Sequence, residues 1–206
     1  MDVFDLKITN GTVANATETF HSDIGIKDGL ITAIGKNIGE AKRVIDATGK
    51  FVLPGGIEAH CHIEQESSGG IMTSDDYYSG SVSAAFGGNT CLIPFAAQHR
   101  GQKLHDVLEL YHSRAKPKSV IDYSFHLIIS DPTDEVINEE LPKIIEQGIT
   151  SFKVYMTYDA FKLDDRQMLD ILSTARREGA MVMVHAESHE MIKWLSERLL
   201  SAGHAE

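Results

Sequence analysis

About fifty residues of short alternating runs and tight turns come first, followed by five apolar strand-like runs separated by helix-length amphipathic stretches. Histidines stand at the C-terminal ends of those later runs. Together these observations predict the fold class: α/β, with a small β-sandwich module preceding a partial (β/α)8 barrel of the TIM type, about the first five strand–helix units being present. The division falls after Leu53, giving an N-terminal β module of residues 1–53 and a barrel portion of residues 54–206.

In the first region Phe4-Asp5-Leu6-Lys7-Ile8 alternates apolar and polar side chains, as a strand with one buried face does, and Asn10-Gly11 follows as a turn signal. Two further alternating runs, Asp23-Ile24-Gly25-Ile26 and Leu30-Ile31-Thr32-Ala33-Ile34, flank Lys27-Asp28-Gly29. An Asp-Gly pair in that setting predicts a hairpin.

After Pro54-Gly55-Gly56 the rhythm changes, and strands are expected at residues 57–62, 90–93, 123–128, 151–155 and 181–185. Between them, Ser74 is expected to cap a helix running to Gly87, with Asp75 and Asp76 in its first turn where the dipole favours carboxylates. Asp164 and Gln167 match a capping box, and Gly148 and Gly179 sit where a glycine ends a helix. Repeated strand–helix units mean a parallel sheet, which a doubly wound arrangement would also satisfy. No GxGxxG or GxxxxGK loop follows the first strand, however. Side chains converging from several strand ends are how a barrel builds its site, so the barrel is the expected form.

The chain has 206 residues, 42% of them hydrophobic and 24% charged, a globular composition rather than that of a disordered segment. Its net charge of -11 is spread along the sequence and would repel phosphates, so no nucleic-acid partner is expected. Cys61 and Cys91 form no CxxC pair, which argues against a disulfide framework and fits a reducing cytoplasm. Met1-Asp2-Val3-Phe4-Asp5 does not open a signal peptide, and no run approaches the roughly 20 apolar residues that span a bilayer.

Three signals carry chemistry. His60-Cys61-His62 places two imidazoles on one face of a strand, because alternate residues point the same way, and both can then reach one divalent cation. Lys153 lies between Phe152 and Val154 in an apolar strand, facing opposite to both. Burying an ammonium is costly and favours the neutral amine, which can add carbon dioxide to become a carbamate, an oxygen ligand able to bridge two metals. His185 closes the apolar run 181–184 and completes the set. Imidazole and oxygen donors suit zinc first, with manganese or cobalt also compatible. His126 stands inside a strand without a companion and is read as structural; His21, His99, His105, His112, His189 and His204 are read as surface residues.

Pro54-Gly55-Gly56-Ile57-Glu58-Ala59-His60-Cys61-His62, then Ser151-Phe152-Lys153-Val154-Tyr155-Met156-Thr157-Tyr158, then Val184-His185-Ala186-Glu187 resemble the metal-site motifs of the hydantoinase/dihydropyrimidinase family of the amidohydrolase superfamily. The resemblance runs along the whole chain. It implies that His60 and His62 bind the more buried of two metals, that Lys153 is an N6-carboxylysine bridging both, and that His185 binds the second. It also implies that Tyr158 hydrogen-bonds the substrate carbonyl, that the substrate is a small cyclic amide, and that the assembly is a homotetramer. Glu58 stands where relatives usually have aspartate. The remaining second-metal histidine and the proton-shuttling aspartate of the family are expected from later strands, beyond Glu206.

Within the superfamily, allantoinase and dihydroorotase are the competing activities, and a non-enzymatic scaffold of the same fold is the alternative of another class. Dihydroorotases usually carry an arginine two residues after the histidine pair. Here that position is Glu64, expected to repel a substrate carboxylate and so to favour an uncharged ring.

Overall fold

The computed structural model describes residues 3–66 and 70–204 and divides into two compact units, Met1–Gly55 and Gly56–Glu206. Met1 and Asp2, part of the leader reading, lie outside the described residues. The first unit is a mixed sheet of β1 (Phe4–Ala14), β2 (Thr19–Lys27), β3 (Leu30–Gly35), β4 (Ala41–Asp46) and β5 (Phe51–Val52). Its order is β3-β2-β1-β4, with β5 also on β1; β1, β2 and β3 run antiparallel in turn, while β4 and β5 lie parallel to β1. Where the sequence predicts a small β-sandwich, the described residues form a single mixed sheet.

The Asp28-Gly29 hairpin forms as expected. Lys27 pairs with Leu30, and the two turn residues take φ of 52° and 77°, the left-handed pair that matches strand twist. Asn10-Gly11 behaves differently. The chain does not turn there; β1 continues through a register shift between Ile8 and Gly11. Asn10 adopts φ 60° because its backbone N–H donates to Asp23 Oδ1 (3.1 Å) and its side-chain amide to Asp46 Oδ1 (3.0 Å). Gly11 lets the neighbouring strand close in, since a Cβ there would meet Val52 Cγ2 at 2.6 Å.

The second unit alternates strands and helices: β6 (Gly56–Cys61), α1 (Tyr77–Phe86), β7 (Asn89–Ala97), α2 (Leu104–Ala115), β8 (Asp122–Tyr123), β9 (His126–Ile128), α3 (Leu141–Glu146), β10 (Ser151–Tyr155), α4 (Asp165–Glu178), β11 (Met181–His185) and α5 (His189–Ser201). A π-helical turn at Val136–Glu140 leads into α3. The expected strand over 123–128 is split into β8 and β9, both against β7. Among the described residues these strands pair only in parallel, and the order β11-β10-β9-β7-β6 follows the chain without reversal. A doubly wound sheet reverses direction at a switch point; this one does not, and it is a parallel half-barrel.

The two faces of that sheet differ accordingly. Leu92, Leu127, Phe152 and Val154 face a single core closed by residues of α1 to α4, such as Leu104, Leu141 and Ile171. The other face carries Phe95, Ala97 and Ile128 with Tyr155 and Met183 against them, and here the candidate site residues gather. Alternation along β10 thus sends Phe152 and Val154 outward to the helices and leaves Lys153 on the inner face.

Helix ends follow local chemistry. In α4, Gln167 N–H donates to Asp164 Oδ1 (2.8 Å) and Asp164 N–H to Gln167 Oε1 (3.0 Å), while Gly179 ends the helix at φ 79°. Gly148 follows α3 with φ 97° in the same manner. In α1 the cap is Asp76 rather than Ser74: Ser79 N–H donates to Asp76 Oδ1 (2.9 Å). The helix cannot begin earlier, because Thr73 and Asp75 are held by the preceding loop through Thr73 N–H to Gln65 O (3.0 Å) and Glu64 N–H to Asp75 O (2.9 Å). Among the described residues no helix is long and apolar enough to cross a membrane.

Candidate active site

Phe95, fully buried on β7, is the floor of the inner face. The His60 ring meets it edge-on with centroids 4.8 Å apart, and His62 stacks on it at 4.9 Å; the two imidazoles are 5.8 Å from each other. Lys153 Nζ lies 5.9 Å from the same ring and 5.4 Å from that of Tyr155. Tyr155 in turn stacks on His185 at 5.4 Å, and Tyr158 leans over His185 at 5.2 Å. The sequence-predicted residues therefore fall into two adjoining groups: His60, His62 and Lys153 around Phe95, and His185 and Tyr158 around Tyr155.

Lys153 is 8% exposed and makes no hydrogen bond or ion pair with any described residue. A buried amine without a hydrogen-bond partner is an unsatisfied group, and the rings of Phe95 and Tyr155 compensate it only weakly. His62 is constrained through Nδ1, which shares a 2.6 Å hydrogen bond with Gln65 Oε1; a carbonyl oxygen can only accept, so this pairing places a proton on Nδ1 and, in the neutral ring, leaves the Nε2 lone pair free. His185 has the converse arrangement, its Nε2 bonded to Glu187, leaving Nδ1. The His60 ring has no hydrogen-bond partner among the described residues, while its backbone N–H donates to Glu58 Oε1 (2.9 Å). Cys61, between the histidines, has its thiol pushed up to about 11 by burial and then by the Glu58 charge, so it stays a thiol at neutral pH.

Among the described residues, no three His, Cys, Asp or Glu side chains cluster as a ready ligand set. What the structure offers is the His60/His62 pair, with the amine of Lys153 against the same ring and His185 one aromatic step away.

Two expectations need correction. Glu64 is not a charge at the site entrance. Its carboxylate accepts from Lys118 Nζ (2.7 and 2.9 Å) and from the Tyr77 N–H at the start of α1 (3.2 Å), so its charge is matched by a lysine that follows α2. His189 is not a free surface residue either: its ring sits 3.4 Å from Thr157 Oγ1 and 3.5 Å from Asp159 Oδ1, 14% exposed. His126 is buried, with Nε2 donating to Ala59 O (3.0 Å) and Nδ1 accepting from Ser151 Oγ (2.5 Å). Burial, more than the nearby His60, holds its pKa below the usual histidine value.

Sequence reasoning missed Phe95 and Gln65. The first was signalled by alternation in Leu92-Ile93-Pro94-Phe95-Ala96, which gives an aromatic to the inner face. The second was signalled only by a polar residue, buried at 9% exposure, three places after a candidate ligand.

No protein-family model matches the chain. A D-hydantoinase from Geobacillus stearothermophilus is 48% identical over 202 residues, which cover 97% of this chain and 42% of that protein. Among solved structures, a D-hydantoinase superposes with a TM-score of 0.93 at 42% identity, covering 98% of this chain and 44% of that one. A dihydropyrimidinase from Brevibacillus agri NCHU1002 gives 0.92 at 39% identity, with 97% and 44% covered. The chain thus spans less than half the length of the relatives it matches. It is a homologue of the D-hydantoinases and dihydropyrimidinases, corresponding to the N-terminal 42–44% of their length.

Proposed function

We propose that this chain is the metal-binding portion of a hydrolase that opens the ring of cyclic amides, hydantoins or dihydropyrimidines. The observation that carries the reading is the convergence of His60, His62 and an unpaired, buried Lys153 around the ring of Phe95. The donor chemistry fits divalent metal ions, zinc first: His62 keeps Nε2 free, and Lys153 has no counter-charge among the described residues, so an anionic carbamate there would be balanced by the metal cations. In this reading His60 and His62 would hold one ion and His185 another, with carbamylated Lys153 as a shared oxygen donor. Carbamylation balances simply. The ammonium would first give one proton to solvent; the neutral Nζ would then attack carbon dioxide, forming the N–C bond, and a second proton would leave to solvent, so that the side chain ends as an anionic oxygen ligand.

When bound, the metal ions polarise the amide carbonyl and make water nucleophilic at neutral pH. Tyr158 contributes a phenolic O–H for the charge that develops on the carbonyl oxygen. Its backbone is held at φ 69°, an unusual value for a bulky residue. The loop fixes it: Tyr158 O accepts from the N–H groups of Phe161 (2.9 Å) and Lys162 (2.8 Å), and its ring rests above His185.

The test joins this chain to the remaining length of the Geobacillus stearothermophilus D-hydantoinase and measures hydantoin and dihydrouracil opening with added zinc and 13C-bicarbonate. The chimera is expected to open a ring and to show a carbamate carbon by NMR, both lost in Lys153→Arg, whose guanidinium forms no carbamate under these conditions. The 206-residue chain alone is expected to be inert, since β6 and β11 are sheet edges with no further partner among the described residues. A folded chimera that takes up no metal, or full activity in Lys153→Arg, overturns the reading.

A further inference from the structure

We propose that Gln65 is a positioning residue of this site: its side-chain amide holds His62 as the Nδ1–H tautomer and so reserves Nε2 as the free donor. The inference rests on the metal reading above, and it concerns a residue that the sequence did not single out. The 2.6 Å contact between His62 Nδ1 and Gln65 Oε1 is the direct observation. What gives it weight is how firmly Gln65 is itself held. Its backbone N–H donates to Thr73 Oγ1 (3.1 Å) and its carbonyl accepts from Thr73 N–H (3.0 Å). One residue earlier, the Glu64 carboxylate is gripped by Lys118, and Arg114 donates to the Glu64 carbonyl (3.0 Å). The loop after β6 is thereby pinned to α1 and to the C-terminal end of α2, and the amide cannot swing away cheaply. Stacking on Phe95 fixes the imidazole from the other side.

A neutral imidazole has one donor and one acceptor nitrogen, and the hydrogen bond made by one decides which remains for a metal. His60 has no equivalent partner among the described residues, so the two histidines differ: His62 is preset, and His60 is free to adjust. A glutamine present only to fill space would be replaced by methionine, of similar length, without consequence for the ring.

The experiment uses the whole chain with 15N-labelled histidine and compares the parent with Gln65→Met, Gln65→Asn and Gln65→Glu, each checked for folding by its thermal melt. Long-range 1H–15N spectra, recorded where the imidazoles are neutral, report the His62 tautomer; competition with a chelator reports zinc affinity. Met removes the acceptor and Asn shortens it, so both should lose the Nδ1–H tautomer and weaken zinc by about 10–100-fold, the usual cost of removing such a partner. Glu keeps an acceptor at the same reach and should keep the tautomer, with zinc within a few-fold of the parent. An unchanged tautomer in both Met and Asn variants overturns the proposal, as does a Glu variant as impaired as Met. If the parent takes up no zinc while the Gln65-dependent tautomer is seen, the pairing is upheld and the metal reading alone falls.

Discussion

From α1 to α4 the helices of the second unit bury side chains against the outer face of the sheet, whereas α5 buries none. Both kinds of helix have the apolar residues to do so. Trp194 is 57% exposed, Met191 73% and Leu200 62%, while Leu104 in α2 and Leu141 in α3 are fully buried. The difference lies in what each helix finds beside it. The first four sit over a sheet that has strands on both sides of the contact, and α5 follows β11, the edge strand. An amphipathic sequence sets which face of a helix is to be buried; the packing partner decides whether it is.

The largest test of this contrast is Phe125→Ala. Phe125 is 1% exposed and lies between β8 and β9, its ring surrounded by those of Tyr77 (6.3 Å), Tyr111 (6.0 Å), His112 (4.9 Å) and Tyr123 (5.5 Å). Those neighbours come from α1, α2 and β8, so collapse of any one cannot fill the space. Truncation is expected to cost about 3–5 kcal/mol, read from urea unfolding of the chain. A loss under about 1 kcal/mol would mean that the core already yields at this point, and the contrast with α5 would lose its basis.

How much of this was legible follows from the range of each interaction. β10 and β11 match the expected spans, and the capping box of α4 stands where Asp164 and Gln167 put it, because alternation and capping act within a few residues. That His60, in β6, and His62, one residue past its end, meet the same Phe95 ring was legible for the same reason, although the strand stops at Cys61 rather than at 62. The start of α1 was misread because its position depends on Glu64 and Gln65, which hold Thr73 and Asp75 from across the loop. Asn10-Gly11 was misread because Asp23 and Asp46, on two other strands, stabilise a bulge where a turn was expected. Glu64 was misjudged for want of Lys118, 54 residues away. Charge read from one position says little until its partners are placed.

A smaller effect should appear with pH. His126 and His112 are both held below the ordinary histidine value of 6.5, in each case chiefly by burial. A neutral imidazole preferred by the folded state means that the unfolded chain binds more protons below that value. Stability from these rings is therefore complete above about pH 6.5 and is lost as pH falls through their lower folded values. Urea midpoints measured from pH 7.5 down to 5 should decline, and His126→Gln should flatten part of that slope while lowering stability at the upper end, where the Ser151 and Ala59 hydrogen bonds are lost. An equal decline in parent and variant would show that other groups carry the acid sensitivity.

The smallest expected effect is at Trp194, and it bears most directly on α5. In the chain as it stands, the ring contacts solvent over more than half its surface, and its evident partner is the Arg198 guanidinium, 4.3 Å from the ring centroid. An exposed cation–π pair contributes about 0.5–1 kcal/mol, and substitution of a surface residue away from such features changes little. Trp194→Ser should therefore cost under about 1 kcal/mol in dilute chain, against several for Phe125→Ala. Repeating the measurement at rising protein concentration separates two causes of a larger loss. A cost that grows with concentration means that α5 is covered by a second molecule, in which case the exposed apolar face drives association. A cost that is large and independent of concentration means that α5 packs within the chain in solution, which would remove the difference between it and the other four helices.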